Sequence, residues 1–437
     1  MANAASSTQK PGPVLGCIAD DVTGATDLAI NLVQGGMRVV QVMGVPNAET
    51  LQQATEADAI VVALKTRSIP AADAITLSLE ALRALQGLGV SRFYFKYCST
   101  FDSTPAGNIG PVAEALVDAL DTPQTIYCPA FPRAGRTVYR GHLFVFDRLL
   151  NESGMQSHPL TPMVDADVVR VLGKQTKKPV GLVDYNALSL GASAVKEKLR
   201  ALADQGQTNV ISDACDDAQL RILAEAVAEL PLITGGSGLA RQLPSAYEAE
   251  GLWKADNAEP YVPNARGRCL VLSGSCSQAT RSQLRWARER LPVWTLDVGR
   301  LLSNTDQEAE RVAAWAAQQN HHQPIVIAST DDPNAVKALQ KKHGTDRVAE
   351  AIEIFMGRIA KTLVEDLDVR RILVAGGETS GAVAAALDVQ AVQIGPEIAA
   401  GVTWVQTLGQ TPALALAFKS GNFGEEDIFG TAWEKLP

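Results

Sequence analysis

The sequence predicts an α/β protein of two domains, each a mainly parallel sheet flanked by helices. Short continuous apolar runs alternate with helix-length amphipathic segments, the pattern of βαβ units. The alternation breaks over Ala255–Arg268 (ADNAEPYVPNARGR), which carries two prolines and no apolar periodicity, and then resumes. A length of 437 residues suits two or three domains at about 100–200 residues each.

The first strand is expected over Val14–Asp20 (VLGCIAD), followed by the polar stretch DVTGATD and a helix from about Leu28 to Gln34. Arg38–Gly44 is a short buried strand, and Ala59–Arg67 is an apolar run that ends in polar residues. Ala72–Leu85 has helical spacing, and Arg92–Thr100 is a strand by its aromatic content. Asn108–Leu120 is helical and TIYCPAF is a strand. Met155–Val169, rich in turn formers, opens a second section of the same layer. Strands PVGLVD and NVISDA follow, and Pro231–Ala240 runs into a Gly-rich turn. Residues 1–254 thus form one domain with a short disordered lead-in over 1–12, 255–268 a linker, and 269–437 a second domain. In that second domain CLVLSGSCS, VWTLDV, PIVIAS and RILVAGGETSG are strands. Helices are expected to about Arg290 and over Arg347–Asp366, and the chain end is β-rich.

Apolar residues at 46% and charged residues at 20% exclude disorder over most of the chain. Lys plus Arg at 39 against Asp plus Glu at 48 gives a net charge of -9, which argues against a dedicated nucleic-acid binder. Phosphorylated ligands stay open, because backbone N–H groups hold phosphate without net positive charge. The cysteines at 17, 98, 128, 215, 269 and 276 form no C-x-x-C, and no histidine sits in H-E-x-x-H, so no zinc or disulfide framework is visible. Each thiol has a plain reading as a small buried apolar residue. The N-terminus lacks an apolar signal core, and no run approaches a membrane span, so a cytoplasmic protein without membrane contact is expected.

Polar groups gather where strands end, and in open α/β sheets ligands bind outside those carboxyl ends. Ile18–Asp27 (IADDVTGATD) places Asp20, Asp21 and Asp27 around Thr23 and Gly24. Carboxylates there can accept from hydroxyls, hold a cation or act as a general base; plain N-capping is the alternative. Phe95–Pro111 brings Lys96, Ser99, Thr100, Asp102, Ser103, Thr104 and Asn108 into one span, a set suited to a polyhydroxylated anion. A helix-capping Ser/Thr turn is the alternative there. Arg67 in KTRS can grip a carboxylate with two parallel hydrogen bonds, although taken alone it fits a solvated loop better. CPAFPRAGRTVYRGHLFV adds Arg133, Arg136, Tyr139, Arg140 and His142, the last a structural histidine in the plainer reading.

In the second domain LSGSCS (from Ser273), VAGGETSG (Gly376, Gly377, Glu378, Thr379) and KSGNFG (Lys419–Gly424) are small-residue turns. Such turns ahead of helices offer backbone donors to phosphates, and three in one domain suggest a nucleotide. No P-loop and no intact G-x-G-x-x-G occurs.

Together these motifs resemble the four-carbon acid sugar kinase family, from ADDVTGATD to KSGNFG over nearly the whole chain. The resemblance implies an N-terminal domain that binds the sugar acid and a C-terminal domain that binds ATP. Phosphate would be transferred in a cleft between them, and closure at the linker would exclude water. It implies Asp20, Asp21, Arg67, Lys96, Ser99 and Asp102 at the acid-sugar site, and Ser273, Gly376, Gly377, Glu378, Thr379 and Gly421 at the ATP site. It also implies Mg²⁺ carried mainly by ATP, with no protein ligand assigned. The implied reaction moves phosphate to the terminal hydroxyl of a four-carbon acid sugar in carbohydrate catabolism, with 3-oxo-tetronate the expected acceptor. D-threonate or D-erythronate remains an alternative, as does a non-catalytic sugar-acid sensor. Either Asp20 or Asp21 would orient or deprotonate the hydroxyl; Asp20, the first polar residue off the strand, is the favoured one. The oligomeric state is left open.

Overall fold

The structure is a computed structural model and describes residues 12–157, 161–255, 261–329, 341, 344–399, 401–421 and 423–437. All of the expected lead-in except Gly12, and the middle of the expected linker, lie outside the described residues. The chain divides into two compact units, Met1–Ala258 and Glu259–Pro437.

The first unit holds β1 (Leu15–Ala19), β2 (Val39–Met43), β3 (Ala59–Ala63), β4 (Phe93–Lys96) and β5 (Thr125–Cys128). After these come β6 (Arg136–Tyr139), β7 (His142–Val145), β8 (Arg148–Leu149), β9 (Val180–Val183), β10 (Asn209–Ser212) and β11 (Leu232–Gly235). Eight of these strands pair in the order β2-β3-β1-β4-β11-β5-β10-β9, all parallel. The residues of β1, β3, β4, β5, β10 and β11 are buried throughout, which is why they are continuous apolar runs with no alternation. Tyr94, Tyr97 and Tyr127 are fully buried, with hydroxyls bonded to the Gly236 carbonyl, Thr234 and Asn209. β6, β7 and β8 form a separate antiparallel sheet, which the sequence reading missed because its strands are short and only part-buried.

The first helix corrects an expected boundary. It spans Val22–Gln34 and begins inside the polar motif, capped by Asp21, which accepts from the Gly24 N–H at 3.0 Å. Thr23 and Gly24 therefore lie in its first turn and not in a loop before it.

The second unit holds β12 (Arg268–Ser273), β13 (Val293–Thr295), β14 (Ile325–Ala328), β15 (Val369–Ala375), β16 (Ala391–Ala399), β17 (Val402–Thr407) and β18 (Ala415–Lys419). The order β13-β14-β12-β15-β18 is parallel, whereas β18-β17 and β17-β16 are antiparallel, so this sheet is mixed. Its core gathers Val271, Leu284, Val326, Leu373 and Trp404, with the Trp404 indole donating to the Ala432 carbonyl at 2.9 Å. Part of the expected linker is docked here. Ala265 lies in this core, its carbonyl accepts from Arg371 at 2.6 Å, and the Asn264 N–H donates to Gln406 at 2.9 Å.

Strand order places the loops. In the first unit the chain runs from β1 to one side of the sheet and from β4 to the other, so β1 and β4 flank a topological switch point. In the second unit β12 and β15 flank one in the same way. Connections diverge at such points and leave a crevice beyond the strand ends.

Candidate active site

At the first switch point β1 runs into Asp20 and Asp21, β3 leads to Arg67, and β4 ends in Lys96. Arg67 is not a solvated loop arginine. Its Nε and Nη2 donate to the two oxygens of Asp20 at 2.9 and 2.7 Å, and Nη2 also reaches Asp21 Oδ1 at 2.6 Å. The backbone agrees with this clamp, since the N–H groups of Thr66 and Arg67 donate to the Asp20 carbonyl at 2.9 and 3.2 Å. Burial pushes the Asp20 carboxyl above its ordinary value, and Arg67 draws it back only in part. Burial lowers the Arg67 guanidinium's pKa, but its bonds to Asp20 and the charge of Asp21 outweigh that and raise it.

The two aspartates are not equivalent. The Asp20 side chain is 7% exposed and spends both oxygens on Arg67; the Asp21 side chain is 28% exposed. Asp21 Oδ1 accepts from Gly24 and Arg67, while among the described residues nothing bonds its Oδ2. Gly24 is needed for space: a Cβ there would lie 2.2 Å from Asp21 Oδ1 and 3.2 Å from Lys96 Nζ.

Lys96 is buried, donates to the Tyr97 carbonyl at 2.9 Å, and has no carboxylate within ion-pair reach among the described residues. The following loop carries Ser99, beside Gly236, and Asp102, which accepts from Thr100 at 2.6 Å. Cys98 links this loop to the cluster. Burial and Asp102 raise its pKa, and Arg67 lowers it. Asn108, one of the polar residues of the Phe95–Pro111 span, and Ser237, not singled out from the sequence, support the cluster. Asn108 Nδ2 donates to the carbonyls of Thr66 and Ile69 at 2.6 and 2.9 Å, fixing the loop that carries Arg67. Ser237 donates to Asp27 at 2.5 Å, tying the Gly-rich turn after β11 to the first helix. The arginine-rich motif does not join the cluster. Arg133 pairs with Asp217, and His142 Nδ1 lies 2.9 Å from the Arg140 carbonyl on the small sheet.

In the second unit the loops after β12, β15 and β18 meet around a cavity of about 290 Å³. Gly274–Cys276, Gly376–Thr379 and Gly421 line one side, and Val348, Ala349, Ile352 and Glu353 of the helix Thr345–Asp366 line the other. Gly376 (φ +130) caps the helix Gly377–Ala386, whose start carries no side-chain cap, so its first N–H groups stay available. The positive φ is at Gly376, whereas Gly377 begins the helix. A Cβ on Gly377 would meet nothing within 4 Å.

Ser273 stands behind the cavity wall. It is 1% exposed, and among the described residues its hydroxyl has no hydrogen-bond partner, nor has that of the lining residue Ser329 on the adjacent strand end. Of the lining residues among those described, two are glutamates and none is lysine or arginine. Burial raises the Glu353 pKa, as do Glu378 and Glu350 nearby. One cation, not assigned from the sequence, stands at the edge of this region: Lys419, 1% exposed at the end of β18. Its signal was a lysine closing the apolar run ALAF.

Among the described residues no three His, Cys, Asp or Glu side chains cluster as a metal site, and no helix is long and apolar enough to cross a membrane. No disulfide joins the cysteines.

Two family models match, a sugar-binding N-terminal domain over residues 15–243 and a nucleotide-binding C-terminal domain over 270–429. A 3-oxo-tetronate kinase of Cupriavidus necator is 51% identical, covering 97% of both chains. One from Pseudomonas fluorescens is 49% identical over 98% of both. A solved Haemophilus influenzae structure superposes with a TM-score of 0.84 at 43% identity, covering 95% of this chain and 98% of that one.

Proposed function

The chain belongs to the four-carbon acid sugar kinase family, and from that premise we propose that it transfers phosphate from ATP to the terminal hydroxyl of 3-oxo-tetronate, giving the 4-phosphate and ADP. The observation that carries this reading is full-length similarity at about half identity to relatives of that name. It is a phosphotransferase with a sugar-binding and a nucleotide-binding domain. We place it in the cytoplasm.

The acid would bind at the Asp20–Arg67–Lys96 cluster. Arg67 Nη1 and the Lys96 ammonium remain for its carboxylate, and Ser99 and Asp102 suit its oxygens. Asp21 is the better placed base, because Oδ2 keeps its lone pairs while Asp20 is spent on Arg67. The hydroxyl proton would pass to Asp21, the oxygen would bond to the γ-phosphorus, and the bond from that phosphorus to the bridging oxygen would break as ADP leaves.

The phosphates of ATP would lie on the backbone donors of Gly376–Thr379 and near Gly421, with the buried Ser273 and Ser329 hydroxyls behind. The apolar face Val348–Ala349–Ile352 suits the adenine. Among the described residues no acidic cage forms, and we propose that Mg²⁺ would be carried by the nucleotide, supplying charge neutralisation on its phosphates.

An ATP-consumption assay over a panel of four-carbon acids tests the reading. Turnover is expected with 3-oxo-tetronate. Preference for D-threonate or D-erythronate would reassign the substrate, and binding of the acid without turnover on any member would make the protein a sensor.

A further inference from the structure

We propose that Lys419 is a positioning residue for the nucleotide: it braces the Ser420–Gly421 loop from behind and supplies positive charge that none of the described lining residues carries. This rests on the kinase reading above. Lys419 ends β18 in register with Ala375 of β15, and its carbonyl accepts from the Gly376 N–H at 2.9 Å. Its backbone thus joins two of the three loops around the cavity.

The side chain is fully buried, yet no carboxylate lies within ion-pair reach of it among the described residues. Among the described residues the ammonium has only neutral partners: the carbonyls of Ser420 and Gly421 at 3.2 and 3.3 Å, and Thr280 of the helix Gln278–Arg288 at 3.5 Å. The Gly421 carbonyl also accepts from Ser277 at 2.6 Å and Thr280 at 2.8 Å, so loop, helix start and lysine form one polar knot. Burial alone lowers the Lys419 pKa, to about 8.

A buried cation without a counter-ion is unfavourable and persists where an anion compensates it. Here the face beyond Gly421 is bounded by backbone donors and two glutamates. A polyphosphate seated there would be the anion that Lys419 lacks.

Titration calorimetry with Mg-ATP on the full-length wild type, Lys419→Met and Lys419→Arg, with thermal melts of each, tests this. Lys419→Met is expected to melt no lower than wild type without nucleotide, because an uncompensated charge is removed. It should bind ATP about 10-fold or more weakly, the scale of a lost contact to a charged group. Its Michaelis constant for the acid should be unchanged, and Lys419→Arg should recover part of the ATP affinity. A purely structural lysine predicts the reverse, a lower melt with native ATP affinity, and that result would overturn the proposal. Should Lys419→Met not fold, calorimetry on the wild type at pH 8 in buffers of different ionisation enthalpy decides. Net proton uptake on ATP binding is expected, because the amine is partly unprotonated at that pH and, among the described residues, none of the groups bonded to it is titratable. Absence of uptake overturns the proposal. Wild type that binds no ATP at all would instead overturn the kinase reading, and this proposal with it.

Discussion

The Arg67 guanidinium holds both oxygens of Asp20, at 2.9 and 2.7 Å, and so occupies the carboxylate nearest the strand end. Its second nitrogen also touches Asp21, at 2.6 Å, which leaves the outer aspartate oriented with one oxygen open. One arginine thus separates two neighbouring acids into an anchored member and an available one.

The Asn substitutions distinguish these roles. Asn keeps the cap that Asp21 places on the first helix but loses the basicity. Asp21→Asn is therefore expected to fold and bind ATP normally while turnover falls about 100-fold or more. Asp20→Asn breaks one charged bond to Arg67 and should cost about 1–3 kcal/mol of stability, with a raised Michaelis constant for the acid. Melts and steady-state kinetics on both variants check this; native turnover in Asp21→Asn would remove it as the base.

Asn108 should matter for binding without touching substrate. Its amide bridges the carbonyls of Thr66 and Ile69 at 2.6 and 2.9 Å. Asn108→Ala frees the loop that carries Arg67, so the Michaelis constant for the acid should rise more than turnover falls. The buried carbonyls left unpaired should also cost about 1–3 kcal/mol. An unchanged Michaelis constant for the acid in the folded variant would deny the loop this role.

The strands were legible because parallel strands buried on both faces are written as unbroken apolar runs, as in LGCIA and AIVVA. The polar residues at their ends were legible for the complementary reason: a buried strand turns polar only where it leaves the core. Strand order was not, since which strands pair depends on contacts far apart in sequence. The switch points beside Asp20 and Gly376 could therefore not be read from the chain. The Arg67 clamp was hidden in the same way, because it spans 47 positions. Lys419 was in plain view, but a lysine at a strand end is ordinary, and only its burial without a counter-ion sets it apart.

Gly377 separates ligand approach from backbone need. Its backbone is in the ordinary helical range, and a Cβ there would meet nothing within 4 Å, so Gly377→Val should leave the unliganded fold and its melting temperature nearly unchanged. The added side chain would fill space beside the uncapped helix start, where phosphate is proposed to sit. The Michaelis constant for ATP should rise about tenfold or more while that for the acid holds, and equal constants for ATP would return Gly377 to an ordinary helix position.

Lys419 also sets a pH dependence with a definite sign. Its pKa, about 8 in the folded protein against an ordinary 10.5, is lowered by burial. Between these values the unfolded chain binds the proton that the folded one has released, so this residue makes stability rise as pH rises through that window. Nucleotide binding should move the other way, because the uncharged amine cannot balance phosphate. In the free enzyme kcat/KM for ATP should therefore fall above about pH 8, towards the level of Lys419→Met. In the saturated complex the phosphates hold the proton on, and kcat should stay level over the same range. In Lys419→Met both trends should vanish together: the alkaline gain in stability and the alkaline fall in kcat/KM. Paired melts and kinetics from pH 7 to 10 measure the two at once. If the variant keeps the alkaline fall in kcat/KM, the titrating group lies elsewhere.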